Sequence, residues 1–291
     1  EQLNKSLFPE EKIETEMKNI VQEIKRRNDD LPSFTSVVSN QLLYKNHPLS
    51  KDGLGMENSV LLFKKNDFLN FKKRYYNSGN YVFIVAGKIT QNEALAIFNN
   101  YFPEEKNTKR NVRQAEKLTI NAGERKIINK DIEQLHIVLS AAFGGAKDKE
   151  SLYLDFFRDM ISGGKSFPLF QEVRDKKGLC YAISASLNKW SDIGKFNIYI
   201  GADLKRYKEA IDAILEVMEK SKSDAELLNK VKNLKIGRLD LLCENTSDII
   251  NAAAFDISFT GEPRDYEKII EEIKEVNIDN IKKTVDKYLK P

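Results

Sequence analysis

Two pairs of residues in this chain have types and spacing suited to chemistry. Arg174 and Tyr181 stand seven apart in the stretch GGKSFPLFQEVRDKKGLCY, Gly163 to Tyr181, around a Lys-Lys-Gly turn. Glu16 and Glu23, also seven apart, lie in EKIETEMKNIVQEIKRR. Seven helical residues turn through about 700°, so these two carboxylates share a face roughly 10 Å apart. They flank an apolar stripe, which predicts partial burial, and Arg27, four residues past Glu23, is placed for an i,i+4 ion pair. A third pattern, Gly164-Lys165-Ser166, matches the tail of a phosphate-binding loop. That loop needs G-x-x-x-x-G-K-[ST] after a strand, but Asp159 occupies the position of the first glycine, in a segment that reads as helix. The phosphate reading therefore fails. By residue type alone, Arg174 reads as an exposed helix charge, Tyr181 as a strand residue and the glutamates as a solvated acidic face.

The elements that must position these residues follow from periodicity and end signals. Pro9 to Arg27 reads as a helix, with proline and glutamates at its start, basic residues at its end, and Ile13, Met17, Ile20 and Ile24 on one face. A second short helix and a proline turn follow, then a Gly-rich loop at DGLGMENSV. Asn66 to Tyr76 is helical. Asn80 to Gly87, NYVFIVAG, is a near-continuous apolar run bounded by glycines, and predicts a strand buried on both faces. TQNEALAIFNNYF returns to helix, capped by Thr90. Pro103 to Lys117 is charged and aperiodic, which marks a linker. Beyond it come a strand at EQLHIVLSAAF, a helix from Asp148 to Ser162, a short helix at PLFQEVRDK, strands at LCYAISASLN and GKFNIYIGAD, and four helices. Strands and helices are segregated, so the fold class is α+β. A faint internal echo sets DFLNFKKRYY, from Asp67, against DNIKKTVDKYL, from Asp279.

Composition narrows the function. Forty-seven basic and 44 acidic residues leave a net charge of +3, which gives no footprint for nucleic acid. No apolar run approaches the roughly 18 residues a membrane span needs. Cys180 and Cys243 are too few for a disulfide framework or a cysteine zinc site. With only His47 and His136 present, a two-histidine metal site would need both, and their contexts are unrelated. The chain opens on a polar segment with no signal-peptide pattern, and a cytoplasmic protein is expected.

The stretch GGKSFPLFQEVRDKKGLCYAISAS resembles the second-half signature of the insulinase/pitrilysin-like zinc peptidases, the inverzincins of the mitochondrial-processing-peptidase type. There a Gly-rich turn leads to a Leu-Phe-x-x-Val-Arg helix, then to Gly-Leu-x-Tyr opening a strand. The chain departs from that pattern at SFPL, where a small residue and an arginine are common. IETEMKNIVQEI resembles the family's zinc-ligand helix, HPLSKDGLGMENSV its His-Pro-Leu loop, and FLNFKKRYYNSGNYVFIVAG its helix–strand unit. The resemblance covers essentially the whole chain.

The resemblance implies two related domains, each a mainly antiparallel sheet packed with helices, the first truncated at its N-terminus. It sets residues 1–102 in the zinc-site domain, 103–117 as linker, with the hinge near Lys106 to Gln114, and 118–291 as a second domain carrying the substrate clamp. It implies a zinc-dependent endopeptidase that encloses extended peptides or unfolded polypeptide in a clamshell chamber. Glu23 matches the third Zn2+ ligand and Glu16 the acidic residue supporting it; His47 is a loop residue. Arg174 and Tyr181 match groups that reach the substrate near the scissile bond, and a guanidinium and a phenol suit a developing oxyanion. The family's H-x-x-E-H motif supplies two histidine ligands and the general base. It does not occur in these 291 residues, and the expectation is that it precedes Glu1. The alternative is a non-catalytic member acting as a partner or scaffold subunit, in a homodimer or paired with a related subunit. Such members tend to lose the zinc-site glutamates, and Glu16 and Glu23 are both present.

Overall fold

A computed structural model describes residues 6–102 and 123–290. The expected linker, 103–117, lies outside the described residues. The first helix, α1 (Glu10–Asp29), begins after Pro9, carries Glu10 and Glu11 in its first turn and Arg26 and Arg27 in its last, and buries Ile13, Met17 and Ile24. These pack with Val60, Phe8, Leu54 and Phe68. Asp30 alone separates it from α2 (Leu31–Tyr44). Its carboxylate accepts from the Ser33 amide at 3.2 Å, and Pro32 sits in the first turn, so one capping residue makes the corner. Next come α3 (Glu57–Val60), α4 (Lys65–Tyr75) and α5 (Gln91–Tyr101). Thr90 and Glu93 cap α5 reciprocally, Thr90 Oγ1 accepting from the Glu93 amide and Glu93 accepting from the Thr90 amide.

Asn80–Gly87 departs from expectation. Asn80 ends a short 3-10 turn, residues 81–86 take no helix or ladder among the described residues, and Val82, Phe83 and Val85 are 52%, 48% and 41% exposed. Apolar sequence bounded by turn residues supplies strand propensity; a strand also needs a second strand to ladder with, and the sheet of the described residues is built from other segments.

The sheet is formed by β1 (Gln134–Gly144), β2 (Cys180–Lys189) and β3 (Ile193–Asp203), antiparallel in the order β1-β3-β2. β3 is central and has two faces of different chemistry. Phe196, Ile198, Ile200 and Ala202 enter the main core with Leu154, Phe156, Phe157 and Ile161 of α6 (Glu150–Ser162) and Ala213, Ile214 and Val217 of α7 (Tyr207–Ser221). Phe157 and Phe196 stack with ring centres 6.1 Å apart. The opposite face presents Lys195 and Asn197 and is covered by α2.

Five helices end the chain rather than four: α7, then α8 (Ala225–Cys243), α9 (Thr246–Phe259), α10 (Tyr266–Glu275) and α11 (Ile278–Tyr288). Asn277, accepting from the Asn280 amide at 3.0 Å, starts a new helix two residues after the previous one ends. The internal echo extends to whole helices. α1, α2 and α4 start at Glu10, Leu31 and Lys65, and α8, α9 and α11 start at Ala225, Thr246 and Ile278. Their lengths run 20, 14 and 11 residues against 19, 14 and 11.

Phe157 is fully buried between sheet and helices. Phe157→Ala is expected to cost about 3–5 kcal/mol, read as a lowered midpoint in urea unfolding.

Candidate functional site

Arg174 and Tyr181 are presented by one irregular connection on a rigid base. α6 ends at Ser162, and the chain turns through Gly163 and Gly164. Leu169–Lys176 is then a π-helical segment, wider than the α-helix expected, with the Lys177 amide bonding the Glu172 carbonyl at 3.2 Å. Such segments are uncommon and concentrate at functional sites. Leu169 and Val173 anchor it in the core. Gly178, at φ +58°, ends it in a left-handed conformation that disfavours side chains. A bond from the Leu179 amide to the Val173 carbonyl, 3.0 Å, draws the two limbs together, so the residues after each, Arg174 and Cys180–Tyr181, come to one end of the sheet.

Tyr181 sits at a β-bulge. Cys180 pairs with Ala202 and Ala182 with Gly201, which leaves Tyr181 without an opposite residue. The extra residue turns Cys180 to the core face, where it packs with Leu179 and Ala202, and leaves Tyr181 64% exposed. β2 is an edge strand among the described residues. Arg174 is exposed, with its guanidinium 4.6 Å from the Phe170 ring centre. Burial pushes the Cys180 thiol up to about 11, and the Arg174 charge partly opposes that rise. Arg206, not anticipated from sequence, donates to the Lys177 and Gly178 carbonyls at 3.5 and 3.4 Å while pairing with Glu209, and so braces the turn. No local motif marks it; only the fold brings it there.

The acidic pair is elsewhere. Glu16 and Glu23 lie on α1 beside the buried Met17 and Ile24, and both are exposed rather than partly buried. The helix rolls its apolar stripe fully inward, and its acidic flank stays in solvent. Arg27 pairs with Asp52, not with Glu23. Among the described residues, no hydrogen bond or ion pair joins Glu16 or Glu23 to Arg174 or Tyr181. No group of three or more His, Cys, Asp or Glu residues is placed to hold a metal ion among them either. One carboxylate falls short of the three protein donors of a catalytic zinc site, so the described residues alone do not fit that centre. His47 is a buried cap: its Nδ1 accepts from the Leu49 amide at 3.2 Å at the start of the Pro48–Ser50 turn. No helix among the described residues is long and apolar enough to cross a membrane.

These features define an α+β domain that offers an exposed arginine and tyrosine beside a strand that is an edge among the described residues. A family profile described as "Peptidase M16 inactive domain" matches residues 63–235, more than half of the chain. The chain belongs to the M16 peptidase family. A curated relative from Rickettsia felis, called an uncharacterized zinc protease, is 29% identical over 98% of this chain and 69% of its own length. The chain spans about half to about two thirds of the length of the curated relatives it matches. A Helicobacter pylori protease structure superposes with a TM-score of 0.85 at 18% identity, covering 97% of this chain and 70% of that one. A chain of complex III2 from Candida albicans superposes with a TM-score of 0.78 at 12% identity, covering 94% and 67%. An M16-like fold therefore also occurs as a subunit of a larger complex.

Cys180 adjoins Tyr181 and reports on this end of the sheet. At about pH 8 its raised thiol stays protonated. Iodoacetamide is expected to label the exposed Cys243 and to reach Cys180 only after unfolding, as read by peptide mass mapping.

Proposed function

We propose that the chain is the substrate-clamping part of a zinc-dependent endopeptidase of the M16 type, acting on extended peptides. The observation that carries this reading is the exposed Arg174–Tyr181 pair beside the edge strand β2. Neither side chain makes a hydrogen bond or ion pair within the described residues, although the connection presenting them is anchored in the core. An extended peptide adds to a free sheet edge through main-chain hydrogen bonds. Arg174 then donates to a peptide carbonyl, and the Tyr181 hydroxyl donates to the scissile carbonyl oxygen as negative charge develops on it. In this reading Glu23 is a zinc ligand, with Glu16 supporting it, only together with donors outside the described residues.

A second reading is a non-catalytic subunit that binds peptide or a related partner. The matched profile's description as an inactive domain and the complex III2 neighbour favour it. A quenched fluorescent peptide, followed separately for binding and for cleavage, separates the two: binding without turnover selects the subunit.

In the full-length protein, Tyr181→Phe is expected to lower kcat by about 10²-fold with little change in KM; unchanged turnover removes its proposed role. Glu23→Gln is expected to lose bound zinc by elemental analysis, and normal zinc content sinks that assignment.

A further inference from the structure

The most anomalous group outside the clamp is Lys195. It lies on the central strand β3 near its start, between Ala142 and Asn188, 1% exposed, on the face covered by α2. Its ammonium donates to Asn40 Oδ1 of α2 at 2.6 Å. Around it, β1 contributes Ser140 and Ala142, β2 contributes Ser186 and Asn188, and α2 contributes Ser39 and Asn40. None of these is charged, and burial holds the amine down at about 8. The titratable groups on the elements packed here are Tyr44 of α2, which packs with Ala142 and Ile193 and whose hydroxyl burial pushes up, and, farther along the same face, His136 and Tyr199, joined at 2.7 Å and both acted on by the Asp30 charge. Buried cations are normally paired, and this one has a neutral amide.

The rest of the interface is also polar. Ser140 Oγ donates to Asn197 Oδ1 at 2.8 Å, which uses its one proton, so Ser39 Oγ is the donor in the 2.6 Å contact with Ser140. Asn197 Nδ2 continues to Ser186 and Asn188, each at 3.4 Å. A hydrogen-bonded line thus runs from α2 through β1 and β3 to β2. α2 follows α1 with Asp30 alone between them, so the seating of α2 sets where α1 stands relative to the sheet.

We propose that Lys195 is a positioning residue that makes the α2–sheet seam a releasable latch, letting the arm that carries Glu16 and Glu23 shift relative to the edge that carries Arg174 and Tyr181. The functional side of this rests on the peptidase reading above; the latch itself does not. The buried amine binds its proton less tightly than a released lysine, whose ordinary value is 10.5. The seam is therefore weakest below about 8, where the proton must be buried, and tightens as pH rises toward the ordinary value.

Hydrogen exchange of the protein without substrate tests this at about pH 7.5 and about pH 9.5, corrected for intrinsic rates. Protection of α2 amides is expected to rise by about tenfold or more between the two, while α6 and α7 amides stay constant. Lys195→Met should leave α2 protection high and independent of pH. Asn40→Asp, which supplies the missing countercharge, should raise protection at about pH 7.5 and serves if the methionine variant does not fold. Flat wild-type protection, or an unchanged pH slope in both variants, overturns the latch. Because exchange is read without peptide, a failure to cleave peptides counts against the proposed function and leaves this result standing.

Discussion

The structure depends on β3 being covered on both faces by different chemistry. Its even-numbered residues from Phe196 to Ala202 join the apolar core against α6 and α7; on the other face Lys195 bonds Asn40 of α2, and Asn197 reaches Ser39 of α2 through Ser140. The apolar face is non-directional, and its large buried area supplies most of the stability. The polar face is directional: each bond fixes one contact of α2 and adds little net energy. The first holds the domain together; the second sets where the N-terminal helical arm lies.

The same division shapes the candidate site at Arg174 and Tyr181. Leu169, Val173 and Leu179 are immobilised in the core, and each lies within a few residues of an exposed functional candidate. Fixing the base while leaving the tips in solvent gives Arg174 and Tyr181 defined positions without using their polar groups internally. The bulge completes this. It turns Cys180 inward and leaves Tyr181 unpaired at the edge, so one inserted residue separates a core position from a surface one.

Features governed by neighbours along the chain are legible in the sequence. The helix over α1, the Thr90 cap, and the apolar–polar alternation of Ile183 to Asn188 rest on local periodicity and end chemistry. The family is legible because its motifs are also local. Features governed by distant partners are not. Arg206 reaches Gly178 across 28 positions, and Asn40 reaches Lys195 across 155. The π-helical widening at Leu169–Lys176 is set by anchoring at both ends, which residue propensities do not encode. Lys195 looks, by type, like a surface residue in an alternating strand; only the docking of α2 buries it.

Asn80–Gly87 and the repeated helices carry the same point further. α2 and α9 have equal length and equivalent places in the repeat, and both are rich in apolar and small residues. α2 lies on a sheet, whereas α9 packs on α8 and leaves Phe255 exposed. Residues 81–86 have the composition of a central strand, and Tyr81 and Phe83 meet the rings of Phe102 and Phe98 at the end of α5, yet Val82, Phe83 and Val85 stay exposed. Burial is thus a property of an element together with its partner. Apolar pattern states which surface an element can give up to a neighbour; hydrogen-bonding partners and the chain's connections decide whether it does so. For the candidate site this separates two kinds of knowledge. The identities of Glu16, Glu23, Arg174 and Tyr181 follow from motif. The distance between the two pairs is a property of the seam at Lys195, since α2 packs on both α1 and the sheet and so links them.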